Sequence, residues 1–283
     1  MESSAVRIFG VKEQTDVASE VDRHGEAISV TGYTVIPDVL SKDELQAARK
    51  RLDEIYQQQV DDAGGEAQLH LINDAHTVRS PLIYDELFLR IAAKPLILSV
   101  VEHFLGDYFI LMLQNGVLNV PQVGDEQNAG SWHRDLNYQH FVSSRPLSIS
   151  ALVCVDDFTL ESGGTFVLPG THKVEVCPSV EFIAAQAQPI DAVAGSVLVF
   201  DSMLYHRGGH NRSAYPRRAI NHMYSLPLLK QQLSFPKMLQ GRYSDDLFLS
   251  RFLGYESEPG ENVATWRQAR IARLAQTDPS VLS

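Results

Sequence analysis

The sequence predicts an α+β protein in which a β-sandwich core carries helices on its N-terminal and C-terminal flanks. Three observations support this. Helical segments occupy residues 42–60 and 85–106. From residue 108 the chain turns into short β-rich runs bounded by Gly, Pro, Asn and Asp, and near its end "ENVATWRQARIARLAQ" returns to helical texture. The 283 residues show no repeat or linker, so they read as a single domain over 1–283. Residues 108–228 form its β core and the polar residues 1–27 a loose lead.

Taken in order, "GYTVIPDVLS" (32–41) reads as a short strand broken by Pro37. Ser41 and Glu44 make a capping box that opens "KDELQAARKRLDEIYQQQV", whose Leu45, Leu52, Ile55 and Tyr56 form one apolar stripe. "DDAGGEAQLHLINDAHTVRS" is polar and irregular, a loop over Asp61 to Ser80 that is either a solvated connection or a lid whose His70, Asn73, His76 and Arg79 overhang a pocket. "DELFLRIAAKPLILSVVEHFLG" is helical, interrupted at Pro95 and ended by Gly106. The runs "YFILMLQNGVLNV", "LSISALVCVDDF", "GTFVLPGTH", "GSVLVFDSMLYH" and "RRAINHMYSLPL" are strands of an antiparallel sandwich or barrel. The closing helix places arginines in its last turns, where the helix dipole favours cations.

Composition excludes several functions. A formal charge of −11 argues against nucleic acid and against docking on anionic lipid. Two cysteines, Cys154 and Cys177, are too few for a disulfide framework and read as reduced thiols. No signal peptide is evident and no apolar run reaches membrane-spanning length, so a cytoplasmic setting is expected. A homodimer is left open beside a monomer.

The chemistry concentrates in "SWHRDLNY". On a strand, His133 and Asp135 share a face. An imidazole and a carboxylate so placed are two ligands of a divalent transition metal, or a structural pair. The run "GSVLVFDSMLYH" ends in His206, immediately before "RGGHNRS". A histidine at that strand end could complete two imidazoles and one carboxylate on one face of an octahedron, the arrangement that suits non-haem Fe(II). Arginines follow in "YPRRAINHMYS". A 2-oxo acid would chelate through its ketone and C1 carboxylate, and a guanidinium would grip its distal carboxylate. His210 lies four residues past His206 and is expected to face solvent or substrate, while His222 reads as a satisfied core histidine and His172 as structural or pocket-rim. Trp132 and Tyr138 read as packing first and substrate stacking second. Gly163-Gly164 reads as a β-turn.

The segments "HRD", "LESGGTFVLPGTHK", "GSVLVFDSMLYHRGGHNRS" and "PRRAI" together resemble the phytanoyl-CoA dioxygenase family of Fe(II)/2-oxoglutarate oxygenases, over roughly residues 28 to 255. The resemblance implies a double-stranded β-helix, the cupin-like jelly-roll. It implies His133, Asp135 and His206 as iron ligands and Arg217 as the anchor of the co-substrate carboxylate, with Arg218 as its rival. Thr165 and Asn119 match positions near that co-substrate. Leu152 stands where some relatives place a tryptophan. With Trp132, Tyr138, His210, His70 and Arg79 it makes up the candidate substrate side. Halogenating relatives have a small residue in place of the carboxylate, so the retained Asp135 favours oxygenation. The implied activity is hydroxylation of an unactivated C–H bond of a small polar or natural-product metabolite, releasing succinate and CO2. The implied requirements are Fe(II), 2-oxoglutarate and O2, with ascorbate stimulatory. The alternatives are an acyl-CoA hydroxylase of the same family, a cupin-like enzyme without a 2-oxo acid, and a non-catalytic metal-binding sandwich.

Overall fold

A computed structural model describes residues 9–11, 13–122 and 130–277. Helix α1 (Glu20–Thr31) opens on a Ser19–Asp22 capping box and buries Gly25 and Ile28. The stretch expected to be loose over 1–27 is helical from Glu20 on, and residues 1–8 and 12 lie outside the described residues. Gly25 is the reason α1 can dock: a Cβ there would stand 2.7 Å from the His103 ring. β1 (Tyr33–Ile36) is followed by α2 (Lys42–Asp62), which carries the Ser41–Glu44 capping box and buries Leu45, Ala48, Leu52 and Ile55.

The segment expected to be an irregular loop over 61–80 instead holds α3 (Glu66–Leu71) and β2 (Thr77–Arg79). β2 is too short to announce itself by propensity, and it exists because Thr77, Val78 and Arg79 pair antiparallel with Val117, Gly116 and Asn115. Pro95 occupies the first turn of a new helix, so the helical stretch divides into α4 (Glu86–Ala92) and α5 (Pro95–Leu105). The β core comprises β3 (Ile110–Asn119), β4 (Ser148–Cys154), β5 (Phe166–Val167), β6 (Gln188–Pro189), β7 (Val197–Asp201), β8 (His206–Arg207) and β9 (Arg217–Ser225). Helix α6 (Val180–Gln186) precedes β6, and α7 (Phe235–Leu239), α8 (Leu247–Phe252) and α9 (Val263–Thr277) close the chain. α9 runs on to Thr277, so its last turn carries no basic residue and the arginines sit in its middle, contrary to the sequence reading.

The strands form a six-stranded sheet in the order β1-β7-β4-β9-β3-β2 and a three-stranded sheet β6-β5-β8, with antiparallel pairing throughout. This is the jelly-roll. The outer face of the large sheet packs on α1, α2, α4 and α5 through one apolar cluster that includes Leu52, Phe88, Val100, Ile220 and Tyr224. A second cluster, with Leu152, Cys154, Phe158, Phe200 and Ala219, fills the space between the sheets. Alternation along β9 divides its side chains accordingly. Ile220 and Tyr224 face the helices, and Arg217 and Ala219 face inward. His222 falls on the helix side and is completely buried, a core histidine. Burial pushes its pKa down to about 3.

Gly116 is the close-contact point between sheet and helix α2. A Cβ on it would stand 2.6 Å from Leu52 Cδ2 and 3.0 Å from Val78 Cβ. Gly116→Ala is expected to lower unfolding free energy by about 1–3 kcal/mol through overpacking, read as a lower urea midpoint; an unchanged midpoint would contradict this packing.

Asp201, at the end of β7, is buried and its carboxylate accepts the Met203 N–H at 2.9 Å. Burial pushes its pKa up to about 6, against the pull of that N–H and of Lys173 and Arg134. The folded state thus binds the proton more tightly than the unfolded chain, whose value is near 3.8. This contribution to stability is complete below about pH 4 and is lost as pH rises through about 6, a swing on the order of 3 kcal/mol. Asp201→Asn should therefore raise the urea midpoint at pH 7 and reduce its decline between pH 4 and 7. A wild-type pH profile in the variant would refute the assignment.

Candidate metal centre

The site begins as a backbone strap. His133 N donates to His206 O at 3.0 Å and His206 N donates to His133 O at 3.1 Å, and Asp135 N donates to Ser202 O at 3.0 Å. Residues 133–135 are thereby fixed beside the run 202–206. Alternation then turns His133 and Asp135 one way and Arg134 the other. Arg134 is buried in a cage of carbonyls: Met203 O at 2.9 Å, Glu175 O at 3.0 Å, Thr171 O at 3.3 Å and Val174 O. Its guanidinium also lies 4.1 Å over the Tyr205 ring.

Held this way, the three side chains converge. His206 Nε2 is 3.5 Å and His133 Nε2 3.9 Å from Asp135 Oδ1, and their ligand atoms lie within 4.8 Å of one another. Each imidazole uses Nδ1 on a local carbonyl, His133 on Ser131 O at 2.8 Å and His206 on Leu204 O at 3.0 Å. Such a bond fixes the tautomer with the proton on Nδ1 and turns the Nε2 lone pair inward. Burial holds the His206 pKa below its ordinary value, against the attraction of Asp135, which favours the neutral, ligating ring. The other carboxylate oxygen, Asp135 Oδ2, accepts from Ser150 Oγ at 2.5 Å. Ser150 continues to Ser202 Oγ at 2.8 Å and Ser202 to Ser148 Oγ at 2.9 Å, a buried hydroxyl relay that orients the carboxylate. Two imidazole nitrogens and one oriented carboxylate oxygen are a donor set that fits a ferrous ion.

Arg217 faces the same interior. It is 4% exposed, its Nε has no hydrogen-bond partner, and among the described residues no carboxylate pairs with it. Its guanidinium lies 4.2 Å over the Phe158 ring. Burial pushes its pKa down to about 10, still charged at neutral pH. Arg218 points outward, where Nε and Nη2 hold Asp53 at 2.8 Å each and Nη1 reaches Asp156 at 3.1 Å. Thr165 is buried just before β5. Asn119 is committed to the backbone: its Nδ2 donates to Gly163 O and Gly209 O, both at 3.0 Å, clasping the two glycine loops. These loops touch so closely that a Cβ on Gly209 would stand 2.4 Å from Gly164 O.

The remaining candidates scatter. Leu152 lies on the inner face of the large sheet. Trp132 is half-buried with Arg207 5.6 Å over its ring. Tyr138 is 88% exposed, which overturns its packing role. His210 is buried, with Nε2 3.3 Å from Gln122 O, so it does not face solvent as expected. Arg79 pairs with Asp74 and reaches Gln232 at 3.1 Å. His70 is exposed on α3, beside Glu66 and His76 rather than with the triad. Arg134, Ser148, Ser150, Ser202 and Phe158 were not foreseen. Alternation signals that Arg134 points away from the ligands, but nothing local reveals its carbonyl cage or the hydroxyl relay.

The fold is the jelly-roll of iron- and 2-oxoglutarate-dependent enzymes. The family model of phytanoyl-CoA dioxygenase matches residues 29–219, and the chain belongs to that family of iron- and 2-oxoglutarate-dependent dioxygenases. It is 32% identical to an uncharacterized protein of Mycobacterium tuberculosis over 78% of this chain and 81% of that one. It is 29% identical to dioxygenase af480 of Aspergillus fumigatus, covering 76% of this chain and 72% of that one. Among solved structures, HygX from Streptomyces hygroscopicus with nickel and 2-oxoglutarate bound shares the fold at a TM-score of 0.57 and 15% identity, covering 76% of this chain and 90% of that one. The epimerase SnoN does so at 0.54 and 18%, covering 73% and 84%. Among the described residues no helix is long and apolar enough to cross a membrane.

Ser150→Ala is expected to weaken Fe(II) or Co(II) binding about 10–100-fold by releasing Asp135. Calorimetric titration checks it, and an unaltered dissociation constant would remove the relay from the site.

Proposed function

We propose that His133, Asp135 and His206 hold Fe(II), that Arg217 anchors 2-oxoglutarate, and that the chain hydroxylates an unactivated C–H bond of a small polar metabolite. The observation that carries this reading is Arg217, a buried guanidinium without a counter-ion, facing the same interior as the triad. A buried unpaired cation is costly, and a distal carboxylate would complete it with two parallel hydrogen bonds. Iron with 2-oxoglutarate and O2 supplies the oxidising equivalent and releases succinate and CO2. The chain's own residues position and exclude. Leu152, Phe158, Leu198 and Phe200 keep water from the interior between triad and arginine. Phe200 packs edge-on to the His206 ring at 4.8 Å and fixes its plane. Thr165 is a second candidate contact to the co-substrate, while Asn119 acts by holding the loops that frame it.

For the substrate, one row across the large sheet supports a polar molecule. Leu152, Asn221, Asn115 and Arg79 are successive cross-strand neighbours on β4, β9, β3 and β2. Directly opposed residues project to one face. Asn221 Oδ1 is buried without a partner, so a donor on the substrate would satisfy it. Asn115, in the amide orientation that satisfies both neighbours, accepts from Arg79 Nη1 at 2.9 Å. Arg79 is already paired with Asp74, which argues against a polyphosphate such as a CoA thioester. Free Cys154 and Cys177 support a reducing, cytoplasmic setting.

The test is succinate formation with Fe(II), ascorbate and 2-oxoglutarate across fractionated metabolite pools, followed by a search for a product one oxygen heavier. Stimulation by acyl-CoA alone would replace the polar-metabolite reading, and turnover indifferent to 2-oxoglutarate would end the whole proposal. Arg217→Ala should raise the KM for 2-oxoglutarate at least about 30-fold, the equivalent of ~2 kcal/mol. Arg218→Ala should leave that KM unchanged while lowering Tm, since it pairs with Asp53 and Asp156.

A further inference from the structure

Residues 66–76, between α2 and β2, carry a second group of metal-ligating side chains that the oxygenase reading does not use. Glu66 and His70 stand one turn apart on α3 and so share a face. The chain then reverses through Asn73 and His76, both in the left-handed region at φ +54° and +63°. This brings His76 back beside Glu66, with His76 Nδ1 3.5 Å from Glu66 Oε1. The His70 and His76 rings meet edge to face with centroids 5.5 Å apart. One ligand atom from each of the three residues lies within 4.8 Å of the others, as is also true of His133, Asp135 and His206.

The group is supported from behind. Tyr56, on α2, donates its hydroxyl to Glu66 Oε1 at 2.8 Å and accepts the His76 N–H at 3.0 Å. One side chain therefore orients the carboxylate and pins the backbone of the second histidine. Among the described residues Glu66 has no lysine or arginine partner; the nearby Arg79 is held by Asp74. An unneutralised carboxylate facing two imidazoles, with solvent on the open side, lacks a cation.

We propose that Glu66, His70 and His76 form a second divalent-cation site of the two-histidine, one-carboxylate type suited to zinc, which ties α2, α3 and β2 together. Zinc bonds of about 2.0–2.1 Å to N and O in a tetrahedron set ligand atoms roughly 3.3 Å apart. The Glu66–His76 separation of 3.5 Å is close to that already, and His70 needs only a side-chain rotation on an exposed surface. Water fills the fourth position. The site stiffens the connection that delivers β2 and its Arg79 to the edge of the large sheet. It requires nothing of the oxygenase chemistry.

The test is metal stoichiometry on the full chain. Zinc titration followed by calorimetry, with Co(II) absorption as the spectroscopic counterpart, should show two equivalents bound to the wild type. One should remain in His70→Ala, one in the His133→Ala/His206→Ala double variant, and none when all three substitutions are combined. Tyr56→Phe should weaken the second equivalent about 10–100-fold and leave the first unchanged. His70 is exposed, so its substitution does not threaten the fold, and Glu66→Gln provides an independent second variant. No zinc bound by the His133→Ala/His206→Ala variant, or two equivalents retained in His70→Ala and Glu66→Gln, would overturn the proposal. Neither outcome bears on 2-oxoglutarate turnover, so failure here and failure of the oxygenase reading are told apart.

Discussion

Two backbone hydrogen bonds exchanged between His133 and His206 decide where the candidate metal-binding side chains stand, and the rest of the site is built on that exchange. Neither histidine belongs to a long strand; β8 has two residues and His133 makes only an isolated bridge. Such a short ladder would fray if left alone. Arg134 prevents this from the opposite face, drawing carbonyls from two separate stretches of chain, 171–175 and Met203, onto one guanidinium. A planar fork with five donors can do so where an ammonium could not. The triplet His133-Arg134-Asp135 thus pairs two side chains that face the candidate metal centre with a middle one that fastens the strap.

The interior behind the triad is organised by polarity. At one end stand the imidazoles and the carboxylate with its serine relay; at the other stands a guanidinium against an aromatic face. Apolar side chains occupy the space between them. In such a low-dielectric setting each polar group is strongly felt by any charge that enters. Adjacent arginines illustrate how narrowly this is set. Arg217 has a ring and no counter-ion, whereas Arg218, one residue later, sits between two aspartates. The 180° alternation of β9 is the whole difference.

Much of this was legible in the sequence because the signals were local. The Ser41–Glu44 cap, the α2 stripe, Pro95 and Gly106 each mark a boundary through nearest-neighbour physics, and they fall where expected. Alternation sufficed to group His133 with Asp135 and to separate Arg217 from Arg218. The elements that escaped depend on distant partners. β2 is defined by its register against β3, and α1 by a glycine meeting a histidine on α5. The burial of His210 and the exposure of Tyr138 follow from how loops fold over the sandwich, which residue type does not encode. The serine relay was invisible for the same reason: Ser148 and Ser150 share a face of β4, but Ser202 comes from a separate turn.

The clasp of Asn119 over the Gly163 and Gly209 carbonyls has an evolutionary corollary. With no room for even a methyl group where Gly209 meets Gly164, neither loop can lengthen or bulk up unless the other yields in step. That rim of the cavity is frozen against piecemeal change. New selectivity in descendants of this scaffold must therefore arise from residues outside these two glycine loops.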